Sequence, residues 1–331
     1  VAERLPVAIA GAGLMGAWHA IYAQRCGATI VAVVDSNVEA GARLCARFPG
    51  SRNVTSVADL KHALKPKVLH ICTPIESHAN LALSALEAGM HVLVEKPLAG
   101  DAQVSRDLLS AAVRCGRVVM PVHQFLFQDG FRNVMARKAE LGSILHIDAT
   151  FCSAGATLVT NQDSDSVAAG ILPHPLSLIE RLVPGTLGAA DWTVFHMRAG
   201  EWRVCGRANG LSISIVISLH GRPTECAMRI ITEDGAVDLD LFHGFAIVDR
   251  ASVSRAAKIA RPFRTATARF GQAGWNLARR LVTRQFAYPG LNRLIAEFYH
   301  ALDTGSSAPI APEEIIAIAS ARDQIVDLAH P

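Results

Sequence analysis

A chain of 331 residues, half of them hydrophobic and only 18% charged, can bury two cores of ordinary size and is not a disordered tail. The net charge of +3 is too small to imply nucleic acid by itself, and no apolar run approaches a membrane span. No signal-peptide pattern opens the sequence. The seven cysteines (Cys26, Cys45, Cys72, Cys115, Cys152, Cys205 and Cys226) are odd in number and scattered, without a Cys-x-x-Cys pair. They argue against a disulfide framework and a zinc site, so the expectation is a soluble protein of a reducing cytoplasm with no metal.

Val7-Ala8-Ile9-Ala10 reads as a short buried strand. Gly11-Ala12-Gly13-Leu14-Met15-Gly16 follows at once, and Ala17 to Cys26 suits a helix. Glycines at these three places permit a tight turn, close approach of backbone to a pyrophosphate, and close packing of helix on strand. A second strand, Thr29 to Val34, ends in Asp35 at the distance expected of a dinucleotide site. A carboxylate there accepts from ribose hydroxyls and repels a 2′-phosphate, which favours NAD. Ser36, Asn37 and Arg43 keep NADP open.

The alternation continues with helices near Val38 to Phe48 and Val57 to Leu64 and a strand Val68 to Cys72. Thr73 and Pro74 fit a strand-end turn beside the cofactor. Ser77 or His78 would cap the next helix or line the pocket, and for His78 capping is the simpler reading. That helix stops at Gly89. The apolar run Val92 to Val94 then delivers Glu95, Lys96 and Pro97 at the strand's carboxyl end, where open α/β sheets place ligands. Lys96 there is a hydrogen-bond donor or, with a lowered pKa, a proton-transfer group; its plain reading is one half of an exposed Glu–Lys pair. A helix from Asp101, its amino-terminal cap, to Cys115 and a strand Val118 to Val122 ending in His123-Gln124 complete a doubly wound parallel sheet.

The glycine turn, Asp35, Thr73-Pro74 with His78, and the run Gly89 to Pro97 together resemble the Gfo/Idh/MocA oxidoreductases, the glucose–fructose oxidoreductase and inositol dehydrogenase family. The resemblance covers residues 7 to about 124 closely and the rest more loosely. It implies a Rossmann domain over 1–124. An α+β domain over 125–331 would follow, with a mostly antiparallel sheet and last helices free to pack back on the first domain. It further implies an NAD(P)-dependent dehydrogenase acting on a sugar, cyclitol or nucleotide-sugar-like polyol by hydride transfer at nicotinamide C4. Gly11, Gly13, Leu14, Met15, Gly16, Asp35, Thr73, Pro74, His78, Glu95, Lys96 and Gln124 would meet the cofactor. Lys96 and His174 would be the catalytic pair, and the second sheet would join a homodimer or homotetramer.

In the carboxyl-terminal half, Ile144 to Cys152 is the first strand, Asn161 to Ser166 reads as a polar loop, and Ala168 to Val183 suits a helix with prolines in its first turn. Strands follow at Thr193 to Met197, Trp202 to Gly206, Leu211 to Leu219, Glu225 to Ile231 and Ala236 to Leu241. Members of the family usually carry an aspartate and, four residues on, a histidine in the helix before the sheet. With His174 as the histidine, the aspartate position is Gly170; with His174 in the aspartate position, the histidine position is Leu178, and either way only one of the two titratable groups is present. An arginine often found behind the preceding strand is here Leu126. Without the aspartate, His174 could be oriented by Asp163 or Asp165 if the polar loop folds back; its plain reading is an ordinary helix-start histidine. These departures keep two other readings open: a redox-neutral enzyme with tightly held NAD (elimination or epimerisation), and a cofactor-binding regulator that has lost catalysis.

From Arg250 to Ala296 there are ten basic residues and no acidic one, leaving −7 on the remainder of a chain whose total is +3. Apolar residues, among them Ile259, Phe263, Phe270, Trp275 and Leu281, are interleaved. Such a segment suits an anionic surface or a phosphorylated substrate, against the plainer reading of a solvated helical arm. No nucleic-acid motif accompanies it.

Overall fold

The computed structural model describes residues 4–60, 64–153, 161–252, 254–285 and 287–329, the side chains of 161–163 excepted. Six short strands form the first sheet: β1 (Pro6–Ala10), β2 (Thr29–Val34), β3 (Arg52–Val54), β4 (Val68–Ile71), β5 (His91–Val94) and β6 (Val119–Pro121). All pair in parallel, in the order β3-β2-β1-β4-β5-β6. Parallel strands are covered on both faces, which is why Val7 to Ile9 and Val92 to Val94 are wholly buried runs without alternation. The strand order reverses between β1 and β4, and the crevice beyond their carboxyl ends is the ligand position of such a sheet.

Local chemistry sets the connecting helices. The Asn37 and Asp101 side chains accept from the Ala40 and Val104 amides and start the helices Val38–Cys45 and Ala102–Arg114. In place of the expected helix over 57–64 there is a single 3-10 turn, Val57–Asp59, closed by a Ser56–Asp59 capping box; residues 61–63 lie outside the described residues.

The chain divides into two compact units. The first contains residues up to Val122 together with Leu291–Ala319; the second contains His123–Gly290 and the residues from Ser320 onward. Within the first unit the helix Leu291–Thr304 packs on the helix Leu14–Arg25 and buries Leu294, Ile295 and Phe298 completely.

The second unit is built on seven strands: β7 (Ile144–Cys152), β8 (Asp191–Arg198), β9 (Glu201–Ala208), β10 (Leu211–Ser218), β11 (Glu225–Thr232), β12 (Gly235–Asp240) and β13 (Phe245–Arg250). Their order is β13-β12-β11-β7-β10-β9-β8, antiparallel throughout except for β7 with β10. Alternation puts Ile213, Ile215 and Ile217 in the core and Ser212 on the other face. The sequence pattern missed β3, β13 and the helix Asp129–Ala136.

The expected polar loop at 161–166 is instead the start of a helix, Asn161–Ile171, which breaks before Pro173–Leu182. Its Asp165 Oδ1 accepts from the Gly200 amide at 2.8 Å and from Trp202 Nε1 at 2.8 Å. Those bonds to the β8–β9 turn outweigh the local loop propensity of Asn, Asp and Ser. Among the described residues no helix is long and apolar enough to cross a membrane.

Candidate active site

Gly11 follows β1 with φ +94°, and a Cβ there would stand 2.6 Å from the Cys72 carbonyl oxygen. A Cβ on Gly16 would stand 1.8 Å from the Gly11 carbonyl oxygen. Backbone therefore closes both positions to any side chain. Gly13 differs, because a Cβ built on it meets nothing within 4 Å. It precedes the helix Leu14–Arg25, whose amino terminus has no side-chain cap and no acidic residue in its first turn. Leu14, two-thirds exposed, and half-buried Met15 stand at the same edge. Open space before uncapped amides suits an anion, since N–H groups and the helix dipole face it.

Asp35 stands just past β2. Its Oδ2 accepts from the Ala12 amide at 2.7 Å and its Oδ1 from the Asn37 amide at 2.8 Å. These bonds fix the carboxylate beside the glycine turn, and each oxygen keeps acceptor capacity for a ribose hydroxyl. A 2′-phosphate would meet like charge. The open cradle at Gly13 and the fixed acceptor at Asp35 fit a dinucleotide.

Beyond β4, the Ser77 hydroxyl donates to Thr73 Oγ1 at 2.7 Å, and Pro74 starts the 3-10 turn Ile75–Ser77. His78 is buried, with Nε2 at 2.8 Å from the Thr73 carbonyl and Nδ1 at 2.9 Å from the Pro97 carbonyl. The ring thus ties the Thr73 turn to the turn after Lys96. It braces the loops and does not point into open space.

Glu95 and Lys96 leave β5 at its carboxyl end, before a cis Lys96–Pro97 peptide. Burial lowers the Lys96 ammonium from its ordinary value, against the opposing charge of Glu95. For Glu95, burial alone would push the carboxyl up; the hydrogen bond and charge of His19, then Lys96, outweigh it and hold it below the usual range.

Behind Glu95 runs a hydrogen-bonded chain that the sequence reading missed. Glu95 Oε1 accepts from His19 Nε2 at 3.0 Å, His19 Nδ1 meets His70 Nδ1 at 3.0 Å, and His70 Nε2 meets the Tyr299 hydroxyl at 2.8 Å. His19 and His70 are wholly buried. A carboxylate end requires a donor on His19 Nε2; with neutral rings Tyr299 donates to His70 and His70 to His19, and with His19 protonated both of those bonds reverse. Burial and then the charge of His19 hold His70 well below its usual value, and burial and then Cys26 push the Tyr299 phenol well up. The one sequence signal was His19 itself, a polar residue on the packed face of the first helix.

In the second unit, Gln124 opens the 3-10 turn Gln124–Phe127 and is buried with Phe125, Leu126 and Phe127. An apolar surround explains leucine at 126, where an arginine would need a partner. The His174 ring lies 4.5 Å from that of Phe125, and 6.2 Å from that of Phe151 in near-parallel stacking. Asp165 does not orient it: that carboxylate is spent on Gly200, Trp202 and His196. The side chain of Asp163 lies outside the described residues. Among the described residues a Cβ on Gly170 meets nothing within 4 Å, so the position that carries the family's aspartate in this register is a glycine with room for a Cβ.

Residues 5–123 match the model of an oxidoreductase family described by its NAD-binding Rossmann fold, GFO_IDH_MocA. Inositol 2-dehydrogenase 4 of Saccharopolyspora erythraea is 36% identical over 150 residues, 44% of this chain and 42% of that protein. D-glucoside 3-dehydrogenase of Escherichia coli is 34% identical over 117 residues, 35% of this chain and 33% of that one. The chain thus spans less than half the length of these curated relatives. The WlbA dehydrogenase of Bordetella pertussis, solved with NADH and UDP-GlcNAcA, superposes with a TM-score of 0.78 over 99% of this chain and 96% of that one. At 17% identity this likeness speaks to the fold alone.

Proposed function

Through residues 5–123 the chain belongs to the Gfo/Idh/MocA oxidoreductases, and on that premise we propose that it is an NAD-dependent dehydrogenase of a sugar, cyclitol or sugar nucleotide. The observation that carries the reading is Lys96, placed at the carboxyl end of β5 with its neighbour Glu95 turned away onto His19. Bound nicotinamide would supply the hydride acceptor. Gly11, Gly13 and Gly16 would admit the pyrophosphate to the start of the helix Leu14–Arg25, and Asp35 would hold the adenosine ribose and disfavour NADP. Lys96 would donate a hydrogen bond to the reacting oxygen and stabilise its developing negative charge. An ammonium whose pKa is lowered by burial is also the better proton donor. His174 would take the hydroxyl proton as base.

The curated relatives named above act on an inositol and on a glucoside, which supports a vicinal polyol as substrate. The outward face of the second sheet shows Phe195 and Met197 half or more exposed, which supports pairing of two copies through it. The test is a panel of inositols, glucosides and sugar nucleotides mixed with protein and NAD, followed by the absorbance of reduced nicotinamide. Accumulation with at least one panel member is the expected result. Gly170 favours a second reading, because loss of a carboxylate beside the base changes the proton-transfer task. In a redox-neutral enzyme, product would form with catalytic NAD and no reduced nicotinamide would build up.

A further inference from the structure

The helix Arg255–Val282 turns its apolar side away from the protein. At 3.6 residues per turn, Ile259, Phe263, Ala266, Phe270, Leu277 and Leu281 share one stripe within roughly 60° of arc. Its five large side chains are between 56% and 84% exposed, and none of the helix's 28 residues is buried. The opposite side holds the helix to its own unit. Arg261 pairs with Asp249 and Arg279 with Asp129, both at 2.5 Å, and Asn276 Nδ2 donates to the His243 carbonyl at 2.9 Å. Trp275 lies on that inner side, where it helps line a cavity of about 400 Å³ with Gln272 and Asp129. An amphipathic helix normally buries its stripe. This one is anchored by polar residues and displays its stripe.

Charge narrows what could cover it. The helix has no acidic residue. Arg255, Lys258 and Arg269 run along one edge of the stripe, and none has a carboxylate partner among the described residues. Two copies meeting antiparallel, stripe on stripe, would set these basic edges side by side with nothing on the helix to offset them. A nucleic acid would leave five large apolar side chains facing phosphate or water. We propose that the helix docks on an anionic lipid bilayer surface, lying in the plane of the headgroups. The stripe then seats at the acyl boundary, with Arg255, Lys258 and Arg269 against the lipid phosphates. At roughly 42 Å the helix is long enough to anchor a chain that has no spanning helix among its described residues.

Cosedimentation of the full chain with vesicles tests this, using phosphatidylcholine alone and phosphatidylcholine mixed with phosphatidylserine, at low and high salt. The protein should pellet with the mixed vesicles at low salt and lose at least about tenfold in affinity at high salt, where charges are screened within a few ångströms. It should ignore neutral vesicles. Phe263→Ser with Phe270→Ser and Leu277→Ser should abolish binding. Arg255→Gln with Lys258→Gln and Arg269→Gln should weaken it roughly a hundredfold, about fivefold per residue. Neither variant should change the melting temperature or NAD affinity, because the altered residues are exposed. No pelleting at low salt would overturn the proposal, as would undiminished binding by the apolar triple variant. A dimer in sedimentation equilibrium that the same triple substitution splits would instead give the stripe to a second copy.

Discussion

Around Lys96 the polar groups are tied by hydrogen bonds to partners far apart in sequence, whereas the ring of His174 lies against those of Phe125 and Phe151. In the first unit the carboxylate behind the lysine has its own histidine, that histidine a second, and the second a tyrosine. In the second unit the place for a carboxylate is a glycine with open space before it. In the first unit directional bonds fix where each buried polar group stands. The first-unit network thus depends on several residues at once, whereas the position four residues before His174 can be changed by a single substitution.

The largest effect should come from filling the cradle. Gly13→Val adds a branched side chain at a position where a Cβ meets no non-adjacent residue within 4 Å, so the fold should tolerate it and the cofactor should not. NAD binding should fall below detection in calorimetry while the melting temperature stays within about 2 °C. Normal NAD affinity would mean the glycine turn does not face the pyrophosphate.

Next is the buried chain. His19→Leu leaves the Glu95 carboxylate without its donor in a largely buried site, which should cost about 3 kcal/mol in urea unfolding. A cost near zero would show that the chain contributes no order. Its pH dependence has a definite sign. An unfolded His70 titrates near 6.5, and the folded one well below, so between those values the unfolded chain binds a proton that the native state refuses. Stability should therefore drop as pH falls below 6.5, by at most about 1.4 kcal/mol per unit from this group. Glu95 acts in the same direction lower down. Its folded value is depressed, so its stabilisation is present above 4.5 and is lost as pH falls through the folded value. Unfolding at pH 7.5 and 5.5 should show a smaller difference in His70→Asn than in the parent. Equal slopes would remove His70 as their source.

The smallest effect is expected at Gly170. Gly170→Asp returns a carboxylate to the position four residues before His174, where there is room for it. With a charge to stabilise an imidazolium, the acid limb of the rate profile should move up by about one pH unit. An unmoved limb would take His174 out of the proton step.

What the sequence revealed follows the same divide. The glycine turn and Asp35 were legible because their geometry is local: a strand, a turn, a helix and the next strand within thirty residues. The chain from Glu95 to Tyr299 was not, because Tyr299 meets His70 across 229 residues of sequence. The helix starting at Asn161 was hidden for a like reason, since Asp165 finds its partners 35 and 37 residues away. The basic helix was visible as amphipathic, but which side faces its own unit depends on Asp129 and Asp249, which lie outside the helix. Leu126 looked like a departure from the family and is, in the fold, a buried position that an apolar side chain fills.

If Lys96 acts on the reacting oxygen and not on the cofactor's affinity, its replacement should separate turnover from NAD binding. Lys96→Met keeps a side chain of similar length and removes the ammonium. NAD affinity and turnover should be measured on the same preparation, with whichever panel substrate the parent oxidises. Turnover should fall about 10²- to 10³-fold, the usual loss of one donor to a developing oxyanion, with the NAD dissociation constant changed by less than about threefold. Turnover retained near the parent's, or a loss explained wholly by weaker NAD binding, would contradict it.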